Sequence, residues 1–261
     1  LLARGTTQLL RATSPPGIAF LGGDTAAVRA AASGQLVLLG WFRGARCVLV
    51  ELPAAAKFTP PAGTHFEELR PLTAVLPADE AGLLAYARAL SIWRARTRHC
   101  GVCGTPTLAS RAGHSLCCPN PECSAEFFPR LDPAIIVLVT DGERALLGRQ
   151  ASWPARRYST IAGFVEPGES LEDAVAREVA EETGVEVESI TYDSSQPWPF
   201  PCSLMLGFRA TADPASRVCI GGELEDAAWF TRAQLRSGAV LTPPSQAISW
   251  RLICAWLDGA A

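Results

Sequence analysis

Gly163-Phe-Val-Glu-Pro-Gly-Glu-Ser-Leu-Glu-Asp-Ala-Val-Ala-Arg-Glu-Val-Ala-Glu-Glu-Thr-Gly-Val185 sets the reading of the whole chain. Ser170 is a good N-cap with Asp173 three residues on, and Gly184 is a good C-terminal stop, so a helix is expected from Ser170 to Thr183. On a wheel of about 100° per residue, Leu171, Ala174, Val175 and Val179 gather on one face, the face toward a core. Glu178 and Glu182 fall inside that apolar stripe, and Glu181 falls on its edge. Three penalties coincide there. Ionised carboxylates turned toward a core lose their hydration. Like charges four residues apart on a helix repel. Anions near a helix C-terminus also meet the negative end of its dipole. Arg177 is adjacent, but neighbouring helix residues point different ways; its other use is a structural ion pair with Glu169 across the loop–helix junction. A hard divalent cation, Mg2+ or Mn2+, removes all three penalties together, because clustered oxygens are what such ions take. A solvated acidic helix end is the inert alternative, and the apolar position of the glutamates weighs against it.

Working outward, residues 131–261 read as mixed α/β. A strand pair, Ala134–Val139 and Ala145–Gly148, brackets the turn Asp141-Gly142. Another strand ends at Gly163 to Glu166, further strands sit near Val185–Asp193, Leu204–Ala212 and Ala227–Phe230, and a last helix runs from about Ser245 to Leu257. A mixed sheet with helices against it is expected. The first 97 residues are rich in Ala and Leu. They carry a hairpin (Gln35–Phe42, a turn at Arg43–Arg46, Cys47–Leu52), a Pro-rich loop from Pro53 to Pro61, and a helix from Ala78 to about Arg96. Pro77, Asp79 and Glu80 open that helix and Arg94, Arg96 and Arg98 lie at its far end, which suits the dipole.

The chain has 261 residues, 48% of them hydrophobic, with 23 Lys+Arg against 26 Asp+Glu and a net charge of −3. A sizeable core is available and whole-chain disorder is excluded. No apolar run approaches the roughly 18 residues of a membrane span, so no membrane partner is expected. A slightly acidic total gives no general pull toward nucleic acid, although a local basic patch remains open. The start, Leu1-Leu-Ala-Arg-Gly5, has no initiator Met and no signal-peptide pattern, and a targeting segment ahead of Leu1 would be invisible. Five of the nine cysteines lie between Cys100 and Cys123, unlike a spread disulfide framework. A reducing interior, and with it a cytoplasmic location, is expected.

Those cysteines form a knuckle over residues 98–130. Cys100-Gly-Val-Cys103 and Cys118-Pro-Asn-Pro-Glu-Cys123 stand fourteen residues apart, two tight turns that can close a tetrahedron of thiolates around Zn2+. Cys117 is a second choice that widens an already wide gap, and His99 and His114 are substitutes in principle. Four thiolates leave no open position for water, so this ion is structural.

About ten residues after the acidic helix comes Ser195-Gln196-Pro197-Trp198-Pro199-Phe200-Pro201-Cys202-Ser203. Alternating prolines give a stiff extended piece. It presents Trp198 and Phe200 for stacking on a heterocycle, with Gln196 and Ser203 able to bond amide or ring edges. A Pro-rich loop with buried aromatics is the plain alternative.

The 23-residue segment resembles the Nudix hydrolase box at every defining position: Gly163, five residues, Glu169, seven residues, Arg177-Glu178-Val179, one residue, Glu181-Glu182, one residue, Gly184-Val185. The proline segment is similar to the Ser-Gln-Pro-Trp-Pro-Phe-Pro-x-Ser signature of the NADH pyrophosphatase family, which also places a zinc ribbon ahead of its catalytic domain. The likeness covers about residues 98–257. It implies a Nudix α/β (α+β) fold with a mixed sheet and flanking helices, preceded by a zinc ribbon and a small N-terminal α+β domain. The domains would be 1–97, 98–130 and 131–261. It implies cleavage of NADH or NAD+ to nicotinamide mononucleotide and AMP, with removal of an NAD cap from RNA 5′ ends as an alternative main activity, by a homodimer using Mg2+ or Mn2+. It further implies Glu178 and Glu182 as metal ligands, Glu181 as a further ligand or general base, Glu223 as a distal ligand with Glu225 as rival, and the Ala162 carbonyl as a backbone ligand. Gln196 through Ser203 would line the nucleotide pocket. Phe128 stands where the family commonly has Tyr, Ser249 where it tends to have Ala, and Arg70 would reach a phosphate from the N-terminal part.

Two other readings compete. One is a non-catalytic zinc-ribbon binding module on an inactive Nudix fold, against which the full set of Glu178, Glu181 and Glu182 stands. The other makes Arg94, Arg96 and Arg98 a basic strip for RNA, which a modest helix end explains equally well. A Ser or Cys hydrolase is disfavoured, because His65, His99 and His114 all lie far ahead of the acidic helix.

Overall fold

The computed structural model describes residues 1–23, 36–53 and 56–259. They form two units: Leu1–Leu131 with Pro199–Cys202, and Asp132–Trp198 with Ser203–Ala261.

In the first unit, strands β1 (Leu2–Arg4), β2 (Thr7–Arg11), β3 (Gly17–Ile18), β4 (Leu36–Phe42), β5 (Ala45–Leu52) and β6 (Thr64–Glu68) build one sheet. The pair β1–β5 is parallel and the other pairs are antiparallel. The β4–β5 turn is only Arg43-Gly44, with φ of 48° and 80°. Positive φ at both positions is the twist that suits a two-residue hairpin, so β5 begins at Ala45 and the expected turn over 43–46 is shortened. Gln35 of the expected hairpin, and Ala54 and Ala55 of the Pro-rich loop, lie outside the described residues. Helices α1 (Leu69–Leu72) and α2 (Ala78–Arg96) follow. Helix α2 sets Leu84, Ala87, Leu90 and Trp93 into a core with Leu10, Val37 and Leu49. The ribbon strands β7 (Leu108–Ser110), β8 (Ser115–Cys117) and β9 (Glu126–Phe127) add Leu116 and Phe127 to that same core. A shared core is why the ribbon and the N-terminal residues group together.

The second unit holds β10 (Asp132–Thr140), β11 (Arg144–Arg149), β12 (Ile161–Phe164), α3 (Leu171–Thr183), β13 (Glu188–Trp198), β14 (Ser203–Thr211), β15 (Asp226–Thr231), α4 (Arg232–Arg236) and α5 (Ile248–Leu257). Its sheet runs β13-β14-β10-β11-β15, with β12 also on β10. Only β10–β14 is parallel, so the sheet is mixed, as the sequence implied. Along β10, Ile135, Val137 and Val139 meet Ala174, Val175 and Val179 of α3. Ile136 and Leu138 meet Ile248, Leu252 and Ile253 of α5. Covering on both faces is why β10 reads as an unbroken apolar run rather than an alternating one. Strand β13 starts three residues later than expected and continues through Trp198. It is an edge strand, where Pro197 is tolerated. Among the described residues no helix is long and apolar enough to cross a membrane.

Candidate active site

Helix α3 places the glutamates. Ser170 and Asp173 cap each other reciprocally at its start, and Gly184 closes it at φ 66°. Glu182 is buried at 7% exposure, Glu178 is half-buried, and the Glu181 side chain is 62% exposed. Burial raises the Glu178 carboxyl above its ordinary range, with Arg177 opposing and the charges of Glu181 and Glu223 adding to the rise. Burial, then the charges of Glu178 and Glu223, push Glu182 up to about 7. Two of the penalties read from the wheel, lost hydration and like-charge repulsion, are therefore present in the folded chain for Glu178 and Glu182.

Two glycines let backbone come close enough to hold this cluster. A Cβ at Gly163 would lie 1.8 Å from the carboxyl carbon of Glu178. Strand β12 thus approaches α3 through the space a side chain would fill, and the Glu178 carboxylate rests there. At the far end of α3, the Cys219 and Gly221 amides donate to the Thr183 and Glu182 carbonyls at 2.8 and 2.9 Å. A Cβ at Gly221 would sit 2.1 Å from the Glu181 carbonyl oxygen. This loop satisfies the last carbonyls of the helix and carries Glu223 to the other glutamates. Glu225 is tied elsewhere, in an ion pair with Arg149. Sequence reasoning does not single out Gly221; its one signal is the Gly221-Gly222 pair just ahead of Glu223.

Arg177 behaves differently from the expectation that neighbouring helix positions keep it away from the glutamates. Its guanidinium is forked onto Glu169 at 2.7 and 3.0 Å, and it donates to the Phe164 carbonyl at 2.9 Å. Its Nη1 also lies 3.1 Å from both Glu178 and Glu181. A long side chain reaches past the direction its Cβ sets. The Glu169–Arg177 pair is real, and the Arg177 guanidinium with the Glu166 amide holds Glu169 below the usual carboxylate range.

A cavity of about 240 Å³ in the second unit brings Ala162, Glu182, Trp198 and Ser249 together. Ile136 and Thr160 also line it, and among the described residues the buried Thr160 hydroxyl has no partner. The Gln196 amide donates to the Gln246 carbonyl at 2.7 Å and accepts from the Ile248 amide at 2.9 Å, which ties β13 to the start of α5. Pro197 is exposed on β13, and Ser203 is buried opposite Trp198 in the register. The rest of the strip belongs to the first unit. There Pro199 accepts from Arg88 at 3.0 Å, Phe200 lies under the guanidinium groups of Arg70 and Arg88 at 5.8 and 5.1 Å, Pro201 is exposed and Cys202 is buried. Phe128, also in the first unit, is exposed with Arg111 over its ring at 5.5 Å. Phe164, 58% exposed beside Gly163, is a residue that the sequence signals only as an aromatic next to the box glycine.

The thiol sulfurs of Cys100, Cys103, Cys118 and Cys123 lie within 4.8 Å of one another. Two of the separations are 3.6 and 3.4 Å. A Zn–S bond of about 2.3 Å gives tetrahedral edges of about 3.8 Å, so the four fit a zinc ion. The Thr105 hydroxyl and amide hold the Cys103 thiol below its usual range, which favours the ligating thiolate. Cys117 is outside the group, and His114 is bonded to the Leu38 carbonyl at 2.7 Å.

Three family models match the chain in order: an NADH pyrophosphatase-like rudimentary NUDIX domain over residues 1–93, an NADH pyrophosphatase zinc ribbon domain over 95–128, and a NUDIX domain over 130–252. The chain is 42% identical over 222 residues to the NAD-capped RNA hydrolase NudC of Mycobacterium bovis, covering 84% of this chain and 70% of that one. It is 40% identical over 197 residues to the NAD-capped RNA hydrolase NUDT12 of Homo sapiens, covering 70% and 43% respectively. A crystal structure of a NUDIX hydrolase from Nitrosomonas europaea superposes with a TM-score of 0.51 at 19% identity, covering 62% of this chain and 91% of that one, which bears on the fold alone. With that identity to NudC sustained over most of both chains and the three matched segments following one another in order, the chain belongs to the NADH pyrophosphatase family of the Nudix hydrolases.

Proposed function

We propose that the chain hydrolyses the pyrophosphate bond of NADH and NAD+, releasing nicotinamide mononucleotide and AMP, and that NAD-capped RNA is cleaved by the same chemistry. The observation that carries this is half-buried Glu178 beside buried Glu182, which lines a cavity, with the charge of Glu223 acting on both. The relatives bearing the name NAD-capped RNA hydrolase support the choice of dinucleotide.

The donor set fits a hard divalent cation. Glu178 and Glu182 are desolvated and repelled by one another's charge and by that of Glu223, and the one guanidinium against Glu178 is already occupied by Glu169. Glu178, Glu182 and Glu223 would hold Mg2+ or Mn2+ with the Ala162 carbonyl. Such an ion offsets charge on the diphosphate and lowers the pKa of water. Glu181, whose side chain is exposed, takes the proton as a water oxygen bonds to one phosphorus and the other phosphate leaves. Arg177 keeps Glu181 and Glu178 in place through its fork on Glu169. Trp198, Ile136 and Ser249 form a mostly apolar slot for one ring of the substrate, with the Thr160 hydroxyl free to bond its edge.

We take residues 1–97, 98–130 and 131–261 as the domains, a homodimer as the assembly and the cytoplasm as the compartment, where the nine cysteines stay reduced. Incubating the purified chain with NADH and either Mg2+ or Mn2+, with products separated by chromatography, tests the activity. AMP is expected; its absence with both metals refutes the proposal.

A further inference from the structure

The four ribbon sulfurs are not equally reachable. Cys100 and Cys118 are buried at 3% and 6% exposure and Cys123 is half-buried, whereas Cys103 is exposed. Gly101, Val102 and Gly104 around it are exposed as well, and Gly104 turns the chain at φ 76°. The Cys103 sulfur lies 3.3 Å from the Thr105 hydroxyl and 3.4 Å from the Cys118 sulfur. Cys100 and Cys123 stand 3.6 Å apart, and the Cys100 sulfur also accepts from the Val102 amide. The cluster thus offers a single open sulfur to a reagent in solution, with a second, buried sulfur in reach of the first.

Buried structural cysteines are inert, while an accessible thiolate is the form that peroxides attack. Ligation requires the deprotonated sulfur, so a zinc-loaded ribbon presents Cys103 in that form. We propose that Cys103 is a site of reversible oxidation by hydroperoxides, and that it passes the oxidation to Cys118 as a disulfide. In the first step a peroxide oxygen bonds to the Cys103 sulfur and the O–O bond breaks. The sulfur is oxidised by two electrons to a sulfenic acid, and the hydroxide that leaves takes a proton from solvent. In the second step the Cys118 thiolate attacks the Cys103 sulfur. The S–S bond forms, the S–O bond breaks, and the second hydroxide leaves and is protonated. Two thiolates, one peroxide and two protons give one disulfide and two waters. Cys100 and Cys123 then remain as half of a tetrahedral ligand set, too few to retain zinc. The new bond joins the same two turns that the four ligands join, so β8 and β9 keep Leu116 and Phe127 on the core. A thiol reductant reverses the step by exchange. The inference is independent of the hydrolase reading.

The test uses the full zinc-loaded chain and hydrogen peroxide in equal amounts. Zinc release is followed with a chromogenic chelator, and the products are alkylated, digested and mapped by mass spectrometry, so neither readout depends on turnover. The expected result is zinc release in step with peroxide consumption, a Cys103–Cys118 disulfide, and recovery of both thiols and metal on adding dithiothreitol and zinc. Cys103→His keeps a four-ligand set of three thiolates and one imidazole. That variant should form no ribbon disulfide and hold its zinc under the same peroxide. Should it bind no zinc, the unmodified chain still decides through the bond it forms. A Cys100–Cys123 or Cys117–Cys118 bond in place of the expected one overturns the inference. So does zinc release from Cys103→His as fast as from the parent, or zinc loss that dithiothreitol does not reverse. Ribbon thiols that stay reduced while Cys219, exposed outside the ribbon, is oxidised would overturn it as well.

Discussion

Replacing Gly163 by alanine tests the carboxylate cluster with a single methyl group. The new Cβ would stand 1.8 Å from the Glu178 carboxyl carbon, where ordinary contact begins at 3.4 Å, so the carboxylate must retreat by about 1.6 Å. That is most of an Mg–O bond of about 2.0–2.1 Å, so Glu178 can no longer ligate. A misplacement of about 1 Å costs roughly 100-fold in rate, or about 2.7 kcal/mol of transition-state stabilisation. Stability should barely move, since the displaced group is the far end of a flexible side chain and Gly163 lies in a strand outside the left-handed region. AMP release from NADH at saturating Mg2+ measures the first effect and thermal melting the second. Gly82→Ala in α2 is the control: its Cβ meets nothing within 4 Å, so activity holds and the helix gains about 0.8–1 kcal/mol. A Gly163→Ala variant with kcat within threefold of the parent would refute the idea that this close approach positions Glu178.

Three further outcomes are expected. The folded value of Glu182, about 7, lies above its ordinary value of 4.5, so between those values the folded chain keeps a proton the unfolded chain has released. That contribution to stability is fully present below pH 4.5 and is lost as pH rises through about 7. Glu182→Gln should abolish turnover yet melt above the parent at pH 8 without divalent metal, by a margin that shrinks toward pH 5; parallel melting curves would contradict this. Glu223→Gln should cut kcat at least tenfold while Glu225→Gln leaves it near the parent value, because Arg149 already holds Glu225; equal losses in a steady-state assay would count against the assignment. Cys118→Ser should lose the zinc measured by elemental analysis and lower the melting temperature, with kcat of the remaining folded protein little changed, because four thiolates leave no position for chemistry.

Much of the glutamate-bearing helix α3 is legible in the sequence because its determinants are local. Ser170, Asp173 and Gly184 cap it through contacts a few residues apart, and a period of 3.6 sorts Val175 and Val179 from the solvent side, so the misplaced Glu178 and Glu182 stand out from residue order alone. The cysteine knuckle is legible for the same reason, since each pair of ligands comes from one short turn. Arg177 escapes such reading because helix direction fixes only Cβ, while a long side chain chooses among partners that several elements present. The bonds from Gln196 to residues 246 and 248 escape it because their partners lie about fifty positions away in the chain.

Sequence alone therefore determined a helix with glutamates on its apolar face, a thiolate set that fits zinc, and a mixed sheet flanked by helices. Tertiary structure decided which groups share a site. Gly163 makes room for Glu178, Gly221 lets its loop close against the Glu181 carbonyl, Glu225 pairs with Arg149, and the proline strip is divided so that Trp198 lines the cavity while Phe200 lies under two arginines. The physical reason is distance along the chain. Capping and periodicity act within a few residues, whereas close backbone approach and burial depend on segments that meet only once the core has formed.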